Sequence, residues 1–271
     1  MRQRLLQQIH INNYVVENME LQEIISQNRS FLSSVDTFLT KSQFEEVDYG
    51  IPKNLFAHLD SQINNYPTYT DLLIFMTKYL ERSKINYLEI GVSVMKNYLQ
   101  IANSISNSNI VGFDNNMINP NFREIFNKHN EQLYLGKYMD NELLYFYGDL
   151  LDVSDTDKFK ELEFKFDLIF SDALHTKIGV EAEYNNIIKD SLSDKFILYF
   201  DDLDFPELYD CALNIYKDLS KDYNHLYFYT FDINGWVGQH EKFHTNGFIS
   251  TIDFKVIFKK EKIFLKNFIQ I

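Results

Sequence analysis

The pattern of apolar and polar positions changes character near residue 85. Ahead of it, Leu5, Ile9, Val15, Met19, Leu21, Ile24 and Ile25 recur at near-helical spacing, so residues 1–80 read as helices and their connections. Ser30–Tyr49 is polar and less regular, and Ile51-Pro52 restarts the chain. Thr70-Asp71 reads as a helix start, an N-cap oxygen ahead of the apolar run LLIFMTKYL. From Ile85 onward, short apolar runs alternate with helical stretches. The pattern predicts strands at Ile85–Glu89, Asn109–Asp114, Leu143–Asp149, Phe166–Asp172 and Phe196–Asp202. It predicts helices over Val94–Ser106, Asn121–Asn130, Gly179–Leu192 and Pro206–Leu219. Such alternation implies an α/β fold, doubly wound, with helices on both faces of a mostly parallel sheet. His225–Phe231 and Phe248–Phe258 read as two more strands with no long helix between them, hence an antiparallel pair. The expected sheet has seven strands and an antiparallel last strand. The expected division is a helical segment over residues 1–80 and a main domain over 81–271. No repeats, linkers or low-complexity tracts interrupt it.

Two of the strands end in a distinctive way. FDLIFSDALH (Phe166–His175) and FILYFDDLD (Phe196–Asp204) are apolar runs that stop abruptly on carboxylates. A buried strand that stops on Asp places its charge at the sheet edge, where open α/β folds bind ligands. Asp172, Asp201 and Asp202 are thereby expected within reach of one site. Three carboxylates so close repel one another and call for a cation or raised pKa values. His175, three residues beyond Asp172, is placed to accept a proton near neutral pH, with Asp204 as a second candidate.

A nucleotide-type crevice is predicted beside it. YLEIG (Tyr87–Gly91) opens the αβ region, and Asp114 ends the next strand about 25 residues later, where a βαβ unit places a ribose-binding acid. Glu89 is a carboxylate inside an apolar strand, costly unless a cationic ligand or nearby backbone amides satisfy it.

Composition narrows the class. The net charge of −13 lacks the basic footprint of a broad nucleic-acid surface or of anionic-membrane binding. The single cysteine, Cys211, excludes an internal disulfide framework and a cysteine-rich zinc site. No segment reaches the ~20 apolar residues of a membrane span. The first residues, MRQRLLQQIHINNYVVENMELQ, lack the apolar core of a signal peptide. A soluble, cytoplasmic protein is expected. The 24 Phe and 18 Tyr fit an aromatic core and do not by themselves specify a substrate pocket.

The ordered set YLEIG, VGFD, YGD, DLIFSDALH and ILYFDD resembles the class I S-adenosylmethionine-dependent methyltransferases. More narrowly, it is similar to the metal-dependent O-methyltransferases of catechols and of sugars. The resemblance spans roughly residues 68–258 and implies a Rossmann-like sheet, with the N-terminal helices as part of a substrate cover. It implies that Glu89 and Gly91 hold the methionine part of S-adenosyl-L-methionine, that Asp114 binds its ribose, and that Asp149 lies near its adenine. Thr70 falls where the family often contacts the cofactor carboxylate. Asp172, Asp201 and Asp202 fall on the ligands of Mg2+ or another divalent cation. The first loop departs from the family pattern, because GVSVMKN carries Ser93 and Met95 where glycine is expected. Either the backbone stands farther from the cofactor there or Ser93 contributes its hydroxyl. The implied activity is O-methylation of a small-molecule hydroxyl, a sugar or glycan precursor ranking ahead of a catechol-like acceptor. The acceptor and the oligomeric state are open.

Three other readings bear on the same residues. Strand-end aspartates also serve as caps of the next helix or as turn residues, which would make the chain a nucleotide-binding module without catalysis. HEKFH (His240–His244) matches the zinc-protease signature, but Gly235, Gly238, Asn246 and Gly247 leave little room for the helix that chemistry needs. That connection instead places Trp236, His240 or His244 near a substrate mouth. Nucleic-acid base methylation is disfavoured, because Ser171-Asp172-Ala173-Leu174 offers no proline or aromatic to clamp a flipped base.

Overall fold

The computed structural model describes residues 20–34, 67–234 and 243–270. The apolar repeat at Leu5–Met19 and the segment around Ile51-Pro52 lie outside them. Helix α1 (Leu21–Ser34) and helix α2 (Tyr69–Thr77) precede the sheet. The core alternation is β1 (Asn86–Ile90), α3 (Lys96–Ser104), β2 (Asn109–Asp114), then β3 (Phe126–Lys128), β4 (Leu133–Tyr138), β5 (Asn141–Tyr147) and α4 (Val153–Lys160). It continues with β6 (Phe166–Ser171), α5 (Lys177–Glu183), β7 (Leu192–Phe200), α6 (Pro206–Leu219), β8 (Tyr227–Asn234), β9 (Phe243–Ser250), α7 (Lys255–Lys260) and β10 (Leu265–Gln270).

The strands form one ten-stranded sheet in the order β10-β8-β9-β7-β6-β1-β2-β5-β4-β3. Strands β5, β2, β1, β6 and β7 run parallel, and β9 inserts antiparallel between β7 and β8. The seven expected strands are therefore present, with the antiparallel last one, and β3, β4 and β10 extend the two edges. From β1 the chain winds first toward β5 and later back to β6 and β7, so the topological switch point falls between β1 and β6. The crevice above that point is where open α/β sheets bind ligands.

Period-two alternation gives each strand two buried faces. Tyr87, Leu168, Phe170, Ile197 and Tyr199 join one core with α1, α2 and α3. Leu88, Ile90, Ile169, Leu198 and Phe200 join the other with α5 and α6. Burial on both faces explains why these strands read as nearly continuous apolar runs.

Three expectations are corrected. Asn121–Asn130 is a 3-10 turn (Pro120–Ile125) followed by β3, not a helix. Asn130 Oδ1 accepts the N–H groups of Gln132 (2.9 Å) and Leu133 (2.7 Å), a side-chain turn that folds β4 back on β3. The strand expected over Phe248–Phe258 ends at Ser250, and Lys255–Lys260 is helical. Phe254 and Phe258 are both buried at the four-residue spacing of one helix face, which also fits the two-residue alternation of a strand. The helix expected over Gly179–Leu192 ends in a π-turn at Tyr184–Ile188, and Leu192 already belongs to β7. No helix among the described residues is long and apolar enough to cross a membrane.

The start of α2 is fixed by a carboxylate rather than by Thr70. The N-cap is Thr68, two residues earlier, and Asp71 completes a capping box. Asp71 Oδ2 accepts from Thr68 N (2.8 Å), Thr68 Oγ1 (3.0 Å) and Arg29 Nη2 (2.8 Å). Its Oδ1 accepts from Asn28 Nδ2 (2.6 Å) and Arg29 Nη1 (3.2 Å). The Arg29–Asp71 pair is fully buried and joins α1 to α2. Removing one partner strands the other charge, a loss of about 3–5 kcal/mol. Arg29→Met is expected to lower stability by that amount in chemical denaturation; a loss below about 1 kcal/mol would show the pair to be dispensable.

Candidate functional site

The loop after β1 is shaped by close backbone approach. Gly91 has φ +90°, and a Cβ there would stand 2.1 Å from the Asp172 carbonyl oxygen. Only glycine fits. Ser93 (φ 51°) and Met95 (φ 70°) take the left-handed conformation that glycine adopts without strain. The glycine-poor loop thus keeps a glycine-like backbone course. Asp114, at the end of β2, holds it there. Its Oδ2 accepts from Val92 N (2.6 Å) and Ser93 N (2.7 Å), and its Oδ1 from Asn116 N (2.7 Å). Burial raises the Asp114 pKa, and these N–H groups oppose the rise.

Glu89 lies in β1 two residues before Gly91, almost fully buried. Its Oε2 accepts from the Tyr87 hydroxyl (2.7 Å) and Asn97 Nδ2 (2.8 Å). Tyr87 stands two residues away on the same strand face, and Asn97 sits in the first turn of α3. These neutral partners, which the sequence reading did not name, leave the charge uncompensated, and burial pushes the pKa up to about 8.

A cavity of about 400 Å³ opens over the switch point. Glu89, Gly91, Ser93, Asp114, Asp149, Asp172, His175, Asp201 and Asp202 all line it, whereas Thr70 and Asp204, also predicted for the site, do not. Thr70 is buried in the first turn of α2, and its neighbour Tyr69 lines the cavity instead, its ring 4.9 Å from that of Phe170. Asp149 is exposed and caps its own turn through Leu151 N (2.9 Å).

Six carboxylates face the cavity, against Lys96, His175 and His244. Asp202 adopts φ 55°, and its carboxylate meets both imidazoles: Oδ2 lies 2.8 Å from His175 Nδ1 and Oδ1 lies 3.0 Å from His244 Nδ1. Those contacts hold the Asp202 pKa well below the ordinary range and raise both histidines. Asp201 accepts from Asn246 Nδ2, a buried side chain of β9, and from Asp202 N (2.9 Å). Burial and the neighbouring Asp202 charge push its pKa up to about 6. Asp172 is raised well above its ordinary value by burial and by Asp201, with His175 Nε2 at 3.7 Å.

Raised pKa values on adjacent carboxylates are what an oxygen-liganding cation would reverse, so the donor set suits a hard divalent ion. Among the described residues, Asp202, Asp204 and His244 form a group whose candidate ligand atoms lie within 4.8 Å of one another. Asp172 and Asp201 belong to the same acidic wall, outside that tighter group. Asp204 is exposed and its Oδ2 accepts from Thr245 N (2.8 Å). His244 lies in strand β9, so the HEKFH match lacks the helix that a zinc-protease site needs. Trp236 and His240 lie outside the described residues.

No protein-family model matches the chain, and no curated protein sequence does. Its fold is similar to that of several solved structures. The O-methyltransferase from Bacillus cereus in complex with SAH shares 13% identity at a TM-score of 0.47, over 91% of this chain and 95% of that one. A putative O-methyltransferase from Klebsiella pneumoniae shares 10% at 0.43, over 92% and 94%. The MycE methyltransferase of the mycinamycin biosynthetic pathway, in complex with Mg, SAH and mycinamycin VI, shares 13% at 0.44, over 85% and 54%. At such identities and TM-scores these likenesses concern the course of the chain. The chemistry is read from this chain's own residues.

Two outcomes follow from the first loop. Gly91→Ala is expected to disrupt the junction with Asp172, seen as a lowered melting temperature together with lost ligand binding. Glu89 is raised from 4.5 to about 8, so the unfolded chain releases its proton before the folded one does. Its contribution is therefore harmless at low pH, grows more destabilising as pH rises toward about 8, and is constant above. Glu89→Gln should match the wild type near about pH 4 and exceed its ligand-free stability at about pH 9. Parallel melting curves across that range would contradict this.

Proposed function

We propose that this chain is an S-adenosylmethionine-dependent O-methyltransferase, Mg2+-dependent, acting on a hydroxyl of a small molecule, with a sugar or glycan precursor as the leading acceptor class. The observation that carries the reading is the convergence of Asp172, Asp201 and Asp202 from adjacent strand ends on one cavity, with His175 between them.

The cavity's acidic wall favours a cationic ligand, and S-adenosylmethionine supplies an electrophilic methyl on a sulfonium. A Mg2+ ion held by Asp172, Asp201 and Asp202 would lower the pKa of an acceptor hydroxyl and orient it. The chain's own residues supply the rest. Glu89 and the Gly91–Met95 loop form the floor beneath the methionine part, with Asp114 fixing that loop through its amides. Asp149 lies on the wall assigned to the adenine. Tyr69 closes the opposite side, with Phe170 behind its ring. His175 is held through Nδ1 by Asp202, which leaves Nε2 facing Asp172 and the cavity to take the acceptor proton. Carboxylates engaged by a cation repel less and hold that proton less firmly, which brings the imidazole toward its neutral, basic form.

Turnover with S-adenosylmethionine on a library of hydroxyl acceptors is expected to stop on chelation and to return with Mg2+. Asp172→Asn should lower kcat about 100-fold or more while leaving a folded protein. Full, chelator-insensitive turnover by that variant would remove the metal role. Cofactor binding without turnover on any acceptor would favour a nucleotide-binding module in which the acids are structural.

A further inference from the structure

The loop that carries Asp172 and His175 rests on a buried carboxylate that the proposed chemistry does not use. Glu183 is the last residue of α5 and is 1% exposed. Its Oε2 accepts the hydroxyl of Ser171, the last residue of β6 and the one before Asp172. Its Oε1 is buried with no hydrogen-bond partner among the described residues, and the charges of His175 and Asp172 interact with the carboxylate. The π-turn Tyr184–Ile188 begins at the next residue, where one extra residue per turn re-aims the helix face. Packing alone does not explain an acid here. A buried carboxylate is costly, and an apolar residue would fill the space between α5 and β6 without that cost.

We propose that Glu183 is a positioning residue: through the Ser171 hydroxyl it fixes the strand end from which the loop presents Asp172 and His175 to the cavity. The role rests on the O-methyltransferase reading, but its geometry does not. Ser171 ends β6 and Asp172 N donates to Ile90 O (2.9 Å), while His175 at the far end of the loop meets Asp202 (2.8 Å), so the Ser171–Glu183 bond anchors the loop at its root. Thr176 then caps α5 through Gly179 N (3.1 Å), so Glu183 and Thr176 pin the loop from both sides. Without Glu183, Asp172 and His175 would lose their fixed separation from Asp202.

The test uses the full chain at one fixed pH, with variants Glu183→Ala, Glu183→Gln and Ser171→Ala. The imidazole 1H–13C signals of His175 and His244, assigned through His175→Gln and His244→Gln, report the loop directly and need no turnover. Glu183→Ala and Ser171→Ala are expected to move the His175 signal and leave that of His244 in place. Glu183→Gln, which keeps a hydrogen-bond acceptor for Ser171, should restore it. Where an acceptor is turned over, kcat should fall about tenfold or more in the first two variants, while the SAH Kd stays within about twofold. If Glu183→Ala fails to fold, Ser171→Ala carries the same comparison from the other partner. An unmoved His175 signal, or equal losses of SAH binding and turnover, overturns the proposal. A wild type that binds SAH and methylates nothing overturns the O-methyltransferase reading instead, and the histidine signals still decide the position of Glu183.

Discussion

The contact between the Gly91 backbone and the Asp172 backbone is the constraint around which the site is arranged. Strands β1 and β6 are neighbours at the switch point, so the loops leaving them must pass each other. They pass within the radius of a missing methyl group. That closeness places the first loop directly beside the acidic strand ends. The cost appears in the following residues, where Ser93 and Met95 hold left-handed backbone angles, each opposed by roughly 1–2 kcal/mol of strain. Asp114 offsets it by collecting the loop's amides, which explains why a carboxylate is kept at the end of β2 even before any ribose is considered.

Electrostatics divides the acids at the other strand ends into unequal partners. Both imidazoles hydrogen-bond Asp202, so its charge is well accommodated. Asp201 has an amide and a backbone N–H, both neutral, and among the described residues the Asp172 carboxylate meets the distant Nε2 of His175. The two poorly compensated carboxylates are therefore the ones with raised pKa values. A cation entering the cavity would gain most from these two, whereas Asp202 is already engaged by the histidines. The same asymmetry separates this cluster from three independent helix caps, because caps donate no shared field and Asp202 caps nothing with its side chain.

The parallel core was legible because its strands are buried on both faces and end on charges. Pro206–Leu219 matches the predicted helix residue for residue, with Pro206 opening its first turn and an apolar stripe behind. Asn109–Asp114 likewise matches its strand. The edge strands were not legible. β4 is half exposed and shows only Leu133 and Gly136 as buried positions, and β10 has no buried residue at all. Short, wet strands carry little apolar signal. Phe254 and Phe258 misled for the opposite reason, since Ile252, Phe254 and Val256 alternate with Asp253 and Lys255 and so imitate the period of a strand. In the site, residues at strand ends could be read from spacing alone. Tyr87 could have been found as the residue two before Glu89, on one strand face. Asn97, Asn246 and Glu183 could not, because each reaches the site from a different element through tertiary packing.

The helices ahead of the sheet follow a separate logic. Tyr69 lines the cavity from the first turn of α2, one residue after the N-cap Thr68. The carboxylate that completes this cap is Asp71, which also receives Asn28 and Arg29 from α1. Helix α1 thus acts on the cavity without touching it: the buried ion pair sets where α2 begins, and the start of α2 sets where the Tyr69 ring stands. The strand-end acids owe their positions to the sheet and to the loops that leave it. Tyr69 owes its position to a polar network between two helices, and a change of one partner there would shift the cavity wall while the acidic strand ends stayed in place. The Tyr69 wall and the acidic wall of the cavity are in this way held by mechanically distinct parts of one chain.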